Sequence, residues 1–410
     1  MNGLRRQFGV VGRSRGFRLL FVATFASTLG TLLATVALVV DVKDRTQSGA
    51  WVSVLFLVEF LPAVAVGLLF APFLDRFSRR ATMIISDLVR ASVFVALAFT
   101  HSALPIVVLA AVAGLATGFF RPAAYAGLPN LVESEDLPAA NSLLQTAENV
   151  SWAAGPILGG ILVAAAGPHA AYWINAVSFV VSAALLAGIP VRLLQAVTAE
   201  THGHLRDLRD GFAFVMQSSP LRAVLIAWTV ALGAIAAINT TEVFLAKDSF
   251  SAGDFGYGLM FGSIGVGLAI GSLAGGRIVE RRPISQVYGG GIALTAISFG
   301  VAAVAPNVWV AAACCLVGAV GNGAAVVCNS LLIQRGAPDD VRGRVFTIIM
   351  GITYAASAVG YVGGGLLNDS YGPRWVWGAA AALLGVSGLL AYVLARGVPS
   401  PSAPEPEPAV

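Results

Sequence analysis

A small set of ionisable side chains lies inside long apolar stretches of this 410-residue sequence. Glu59, Arg121 and Glu148 are the members that we select as candidates for proton coupling. A carboxyl group held away from water favours its neutral form, whereas a neighbouring arginine favours the charged form. Such a group can therefore take up and release a proton when its surroundings change.

Arg121 and Glu148 fall at similar predicted depths in two successive apolar stretches. Each lies about 7 or 8 residues from the same end of the helix bundle, which is roughly 10–12 Å at about 1.5 Å per residue. Equal depth favours a structural ion pair between them. The alternative interpretation is that Glu148 titrates and carries a proton.

Glu59 lies near the middle of its apolar stretch without an obvious partner. One interpretation is that it binds and releases protons, and the other is a hydrogen bond to Ser53 or to a neighbouring helix. Two other charged residues, Asp87 and Arg90, are three positions apart and are expected to pair locally.

The elements that hold these residues are predicted to be membrane-spanning helices. Hydrophobic residues make up 57% of the chain and charged residues 11%, whereas a soluble domain has about 25% charged residues. Apolar stretches of about 20 residues, the length of a helix that crosses a bilayer, recur along the chain. Twelve helices are predicted, at residues 17–40, 51–73, 81–101, 104–128, 140–166, 170–190, 221–246, 256–279, 284–305, 308–332, 342–368 and 374–396.

The distribution of positive charge predicts the orientation of the chain. Most of the 25 lysine and arginine residues precede helix 1, follow helices 2, 8, 10 and 12, or surround the central loop. The loops of the opposite side carry only Lys43, Arg45, Lys247 and Arg374. Because cytoplasmic loops are enriched in lysine and arginine, both termini are expected in the cytoplasm of a cell whose inner membrane the chain crosses.

The two halves of the sequence repeat weakly at a steady offset of 204 residues. The matches include Gly67 with Gly271, Gly114 with Gly318, Gly159-Gly160 with Gly363-Gly364, and Trp173 with Trp377. Duplicated six-helix halves are typical of transporters that expose a site to each side of the membrane in turn. The pattern predicts an all-α membrane protein with two pseudo-symmetric six-helix bundles.

The predicted domains follow from this repeat. They are an N-terminal bundle at 1–190, a cytoplasmic linker at 191–220, a C-terminal bundle at 221–396 and a disordered proline-rich tail at 397–410. Leu205, Leu208, Phe212 and Val215 recur at helical spacing, so part of the linker is expected to form an amphipathic helix on the membrane surface.

Two motifs carry a resemblance to a known family. The loop after helix 2 resembles the loop 2–3 signature of the major facilitator superfamily through Asp75, Arg76, Arg79 and Arg80. Ala71 and Ser78 replace the two glycines of that signature. In helix 5, Gly155, Pro156, Gly159 and Gly160 resemble the Gly-Pro-x-x-Gly-Gly signature of exporters in this superfamily.

More narrowly, residues 121–143, 174–179 and 342–347 resemble the bacterial branch that includes enterobactin exporters and macrolide-efflux proteins. The resemblance covers residues 17–396 and implies multidrug-type, secondary-active efflux of an amphipathic drug, antibiotic or siderophore, with proton antiport expected. The alternative is an importer of a small nutrient or metabolite. Relatives often have an acidic residue after the glycine of helix 1, but Thr31 follows Gly30 here, which moves the expected coupling role to Glu59 and Glu148.

The motifs also have physical interpretations. A carboxylate at Asp75 can bind the N-terminus of another helix and latch the cytoplasmic side, although Asp75 and its arginines would equally serve only to set orientation. The glycines of helix 5 remove side chains, so another helix can approach closely. Whether that smooth face also slides during transport is left open.

A polar and aromatic set is predicted to line a substrate cavity, because aromatic side chains with a few amides suit a bulky amphipathic ligand. Its members are Trp152, Asn239, Asn322, Asn329, Tyr354 and Tyr361. The alternative for each of them is ordinary packing.

Other function classes lack their motifs. There is no Gly-x-x-x-x-Gly-Lys-Ser/Thr phosphate loop for a primary pump, and the four histidines map to loops or helix ends, which disfavours an intramembrane enzyme. We expect no catalytic residue, metal or cofactor, and no nucleic acid. The expected partners are a small-molecule substrate, protons and the lipid bilayer, and the chain is expected to act as a monomer.

Overall fold

The structure is a computed structural model that describes residues 9–69, 78–194, 212–338, 341–396 and 398. Within these ranges there is no β-strand, and twelve helices have at least 19 residues. They are α1 (Arg15–Thr46), α2 (Gly49–Leu69), α3 (Arg79–Leu97), α4 (Ala103–Gly127), α5 (Leu137–Ala166), α6 (Pro168–Ala187), α7 (Ser219–Phe244), α8 (Gly253–Val279), α9 (Ile284–Ala303), α10 (Val308–Gly336), α11 (Arg342–Tyr371) and α12 (Pro373–Leu394).

Eleven of these helices are long and apolar enough to cross a membrane. The remaining one, α3, is 19 residues long and carries Arg79, Arg80, Asp87 and Arg90. Its length and its buried apolar residues are those of a spanning helix, and its charges are paired or bonded inside the protein as described below. The prediction of an all-α membrane protein with many spanning helices is therefore confirmed.

Helix ends are set by local signals in the sequence. Ser14 and Asn307 cap α1 and α10 by accepting hydrogen bonds from the backbone N–H groups of Phe17 and Val310. Gly167 and Gly372 have φ angles of 76° and 81° and end α5 and α11. A proline follows each glycine and starts the next helix, so both hairpins use the same turn.

The described helices pack by the same scheme in both halves. In the first half α1 contacts α5 and α6, α3 contacts α4 and α6, and α2 contacts α4. In the second half α7 contacts α11 and α12, and α9 contacts α10 and α12. The chain divides into two compact units, Met1–His202 with Ala252–Gly262, and Gly203–Ser251 with Ser263–Val410.

Glycine contacts refine the repeat that the sequence predicts. A methyl group on Gly159 would lie 3.2 Å from Cα of Leu33, and one on Gly364 would lie 2.6 Å from Cα of Ala237. Gly363 has open space instead. Helices α1 and α7 thus keep the offset of 204, but α5 and α11 are offset by one residue more, so the predicted match of Gly159 with Gly363 is wrong.

The same shift applies in α6 and α12. Trp377 is fully buried, whereas Trp173, its predicted match, is 45% exposed. Tyr172 is fully buried and occupies the equivalent position. The prediction paired Trp173 with Trp377 because both are tryptophans. The burial of the two side chains shows that Tyr172 is the counterpart of Trp377, at an offset of 205.

Helix α1 is longer than predicted and continues to Thr46. Lys43 and Arg45, predicted in a loop, therefore lie in its last turns. The helix continues because Asp41 and Arg45 pair at i,i+4 with 2.6 Å between Oδ1 and Nε. In the predicted linker, residues 191–194 and 212–217 are helical, Phe212 is exposed and Val215 is buried. Leu205, Leu208 and all of the predicted tail except Val398 lie outside the described residues.

Candidate coupling site and substrate cavity

Arg121 and Glu148 form an ion pair between α4 and α5. Nη2 of Arg121 lies 2.9 Å from Oε1 and 3.0 Å from Oε2 of Glu148. The hydroxyl of Tyr125, one turn further along α4, donates a hydrogen bond of 3.1 Å to the same Oε1. The two charges, which the sequence predicts at equal depth, are therefore in direct contact.

The two side chains of the pair differ in exposure. The Arg121 side chain is 62% exposed, whereas the Glu148 side chain is 13% exposed. The Glu148 carboxylate accepts two hydrogen bonds from Nη2 of Arg121 and one from the Tyr125 hydroxyl. These contacts join α4 to α5 through the Glu148 carboxylate.

Glu59 lies in α2 where that helix approaches α4 most closely. A methyl group on Gly114 of α4 would overlap the backbone carbonyl of Glu59. The Glu59 side chain is half-buried and makes no hydrogen bond or ion pair with any described residue. Ser53 donates its hydroxyl to the carbonyl of Gly49 at 2.9 Å, so this hydroxyl does not donate to Glu59.

The two described arginines of the loop motif bind the C-terminal ends of α4 and α6. Arg79 donates to the carbonyl of Ala126 at 2.8 Å, and Arg80 donates to the carbonyls of Leu186 and Ala187. The last carbonyls of a helix have no partner within the helix, and a cation suits that end of the helix dipole. Asp75 and Arg76 lie outside the described residues, so the latch assigned to Asp75 stays a prediction.

The glycine motif of α5 presents two smooth faces. Methyl groups on Gly155 and Gly159 would crowd Leu32 and Leu33 of α1, with 2.7 Å to Cβ of Leu32. On the other face, a methyl group on Gly160 would lie 2.8 Å from Cα of Gly258. Carbon atoms in normal contact are about 3.5–4.0 Å apart. The motif therefore lets the backbones of α1 and of the first turns of α8 approach α5.

The predicted cavity residues differ in their surroundings. Trp152 is 44% exposed and stacks edge to face on Phe261, with 5.9 Å between ring centroids. Asn239, Asn322, Tyr354 and Tyr361 are half-buried. Asn329 is buried and lines a cavity of about 570 Å³ between α7, α10 and α11. Of this set, Asn329 lines a cavity that lies within a single unit.

Three large residues of that cavity were not predicted, namely Trp228, Phe346 and Met350. They lie on α7 and α11, and nothing in their local sequence separates them from lipid-facing or core residues. Asn329 was found because an amide in an apolar helix is conspicuous. The cavity itself depends on how three helices pack, which one sequence does not determine.

Two acidic residues outside the predicted set are also buried. Asp41 accepts hydrogen bonds from Arg45 and, at 3.0 Å, from the hydroxyl of Tyr172. Glu242, 2% exposed near the end of α7, has no hydrogen-bond partner for Oε1 among the described residues. The i,i+4 spacing of Asp41 and Arg45 could have predicted their pairing in a helix. It was not used, because the predicted helix ended with the apolar run at Val40.

The sequence matches the model of the family described as the Major Facilitator Superfamily at residues 20–360 and 223–409. The multidrug efflux pump Tap of Mycolicibacterium fortuitum is 28% identical over 399 residues, 92% of this chain and 95% of that protein. An uncharacterized MFS-type transporter of Bacillus subtilis, YfiS, is 25% identical over 92% of this chain and 93% of its own length. Macrolide efflux protein A of Streptococcus pyogenes is 22% identical over 87% and 90%.

Solved structures share the fold at low identity. A bacterial homologue of the iron transporter ferroportin in an inward-facing state has a TM-score of 0.75 and 16% identity, covering 93% of this chain and 98% of that one. A POT family transporter in complex with a thioalcohol-conjugated peptide has a TM-score of 0.77 and 10% identity, covering 93% and 96%. With its apolar helices and a family match over most of its length, the chain is a multi-pass inner-membrane protein that belongs to the major facilitator superfamily.

Proposed function

We propose that the chain exports an amphipathic small molecule from the cytoplasm by alternating access, in exchange for protons. The observation that carries the proposal is the contact of Glu148 with Arg121 and Tyr125, which joins a largely buried carboxylate to an exposed cation. The efflux pumps named among the relatives, at 22–28% identity over most of the chain, support the direction of transport.

In this proposal Glu148 carries the proton. With Glu148 charged, the pair fixes α4 to α5, and protonation frees both helices at that level. Substrate and proton would compete for the two states, which couples outward movement of one to inward movement of the other. Glu59 is the second candidate, because it is half-buried and has no described hydrogen-bond partner.

The orientation is part of the proposal. We place both termini in the cytoplasm. The inner side then holds the C-terminal end of α4, where the Ala126 carbonyl accepts a hydrogen bond from Arg79, and the start of α5. Arg121 would then be reached from the cytoplasm. The glycine faces of α5, packed closely on α1 and α8, would be the surfaces along which helices shift.

The coupling is tested by Glu148→Gln in purified protein reconstituted into liposomes. Glutamine keeps the size and one acceptor of the side chain but cannot carry a proton. We expect the variant to keep substrate exchange between equal concentrations and to lose uphill transport driven by a pH gradient. Glu133→Gln, which removes an exposed loop carboxylate, is the matched control and should behave as wild type.

The double variant Glu59→Gln/Glu148→Gln tests both candidates together. Full uphill transport by this variant would exclude both carboxylates from coupling. Loss of uphill transport in Glu59→Gln alone, with Glu148→Gln active, would move the role to Glu59. A loss of substrate exchange in Glu148→Gln would instead place Glu148 in substrate binding.

A further inference from the structure

The cavity between α7, α10 and α11 contains a polar group without a partner. Asn329 is 7% exposed, and both its amide nitrogen and its amide oxygen lack a hydrogen bond to any described residue. A buried polar atom without a partner destabilises a protein, because its hydrogen bonds to water are lost without replacement. A buried polar group without a partner in a native structure calls for an explanation.

The walls of the cavity are uncharged. The apolar and aromatic side chains include those of Trp228, Phe346 and Met350, and Ser330 and Gln334 provide polar edges near Asn329. The Ser330 hydroxyl already donates to the carbonyl of Val326 at 3.2 Å. The volume, about 570 Å³, lies within the range of small-molecule sites, which is about 300–1,000 Å³.

These features define the chemistry of an occupant. An asparagine amide offers one acceptor and two donor hydrogens, so its best complement is a group that both donates and accepts, such as an amide or a hydroxyl. Aromatic walls bind an apolar ring through area and stacking. No residue that lines the cavity carries a negative charge, so a permanent cation would lose its hydration there without gaining a partner.

We propose that this cavity is a substrate subsite for neutral aromatic or apolar molecules with an amide or hydroxyl group, which bind to Asn329 after a small rotation of its side chain. The inference rests on the proposed function, because it names the class of molecule that the transporter accepts. Asn329 is about 10 Å from the end of α10 at Gly336, counted at about 1.5 Å per residue. With the orientation proposed above, the subsite is loaded from the cytoplasmic side.

Binding of two probes to the purified full-length protein in lipid nanodiscs tests the subsite. Radiolabelled chloramphenicol is a neutral amide with an aryl ring and hydroxyl groups. Tetraphenylphosphonium is an apolar cation without any hydrogen-bonding group. We expect the wild type to bind chloramphenicol, and Asn329→Leu to weaken that binding roughly tenfold, the effect of one or two lost hydrogen bonds. Binding of tetraphenylphosphonium should be unchanged by Asn329→Leu.

The matched control is Asn368→Leu, which replaces a buried asparagine of α11 outside this cavity and should leave chloramphenicol affinity unchanged. Without ligand, Asn329→Leu should raise the unfolding temperature, because it removes two buried atoms without partners. A structural role for the amide predicts a lower unfolding temperature. That decrease, absence of chloramphenicol binding to the wild type, or equal loss in the two variants would overturn the subsite.

Transport measurements with the two probes distinguish a failure of this inference from a failure of the proposed function. Proton-driven export of tetraphenylphosphonium, without binding of chloramphenicol, would overturn the neutral subsite and leave efflux standing. Binding of chloramphenicol that depends on Asn329, without export of either probe, would support the subsite and count against efflux of this class of molecule.

Discussion

Two arginine–carboxylate pairs in the first half differ in how far their side chains are exposed. The Arg121 and Glu148 side chains are 62% and 13% exposed, whereas those of Arg90 and Asp87 are 6% and 0% exposed. The Arg90 guanidinium also lies between two aromatic rings, 4.6 Å from the Phe120 centroid and 4.3 Å from that of Phe179. The buried pair joins α3 to α4 and α6, so we assign it a structural role and assign coupling to the more exposed pair.

This contrast predicts different costs for the two arginines. Arg90→Ala leaves the Asp87 carboxylate buried without its partner, which should destabilise the protein by about 3–5 kcal/mol. Arg121→Ala removes an exposed partner and should cost about 0–1 kcal/mol. Thermal unfolding of the purified variants in one detergent measures both effects.

The double variant Asp87→Asn/Arg90→Met separates charge from packing. Methionine keeps apolar contact with Phe120 and Phe179, and asparagine removes the buried charge, so most of the stability lost in Arg90→Ala should return. If Arg90→Ala unfolds at the same temperature as Arg121→Ala, the buried pair does not have the structural role given to it here.

At the residue scale, the sequence predicted a local pair of Asp87 with Arg90 and favoured a pair of Arg121 with Glu148, and both contacts are observed. The first pair follows from a spacing of three in one helix. The second follows from equal depth in consecutive helices. The stacking of Arg90 on Phe120 and Phe179 could not be predicted, because those rings come from two other helices whose rotation depends on packing.

Close contacts between helices depend on particular glycines. The glycine one residue away in the same helix has room for a side chain. A methyl group on Gly364 would lie 2.6 Å from Cα of Ala237, but one on the adjacent Gly363 would meet no atom within 4 Å. The first glycine is needed for the contact of α11 with α7. The second occupies the same helix with open space beside it.

The pair Gly364→Ala and Gly363→Ala tests this element directly. Overpacking at Gly364 should destabilise the protein by about 1–3 kcal/mol. Alanine at Gly363 should be neutral or stabilising by up to about 1 kcal/mol, because glycine is the poorer helix former. Thermal unfolding and the yield of monodisperse protein report both variants, and equal destabilisation of the two would contradict the observed register of α11 on α7.

The helices themselves were predictable from apolar length, and most observed bounds agree within a few residues. The failures occur where polar chemistry continues a helix beyond the apolar run. At α1, Asp41 and Arg45 extend the helix to Thr46. At α10, the helix continues to Gly336, four residues beyond its predicted end. Hydropathy marks the extent of the bilayer core, whereas hydrogen bonding marks the extent of the helix.

At the scale of the whole molecule, duplication is visible in sequence and in packing. The same contacts join α1 to α5 and α6 and join α7 to α11 and α12. The turns at Gly167 and Gly372 also repeat. The charges do not follow the repeat, since Arg121 has Ala325 at the predicted offset of 204 and Glu148 has Thr353 at the offset of 205 found for α5 and α11. The C-terminal half instead contains the cavity at Asn329, so coupling and binding are assigned to different halves.

The proposed orientation predicts which loops are reached from outside the cell. In a variant without Cys314, Cys315 and Cys328, a single cysteine at the exposed Gln47 should react with a membrane-impermeant maleimide in intact cells. A single cysteine at the exposed Ser134 should react only after the membrane is permeabilised. The opposite pattern would place both termini outside and reverse the direction of transport proposed here.

Transport into everted membrane vesicles tests the central claim most directly. The vesicles would be given an imposed pH gradient, acid inside, and a panel of neutral antibiotics, macrolides, siderophores and lipophilic dyes. The account predicts uptake of at least one neutral amphipathic compound that collapses with an uncoupler and is lost in Glu148→Gln. Uptake only into right-side-out vesicles would contradict it, because the protein would then be an importer.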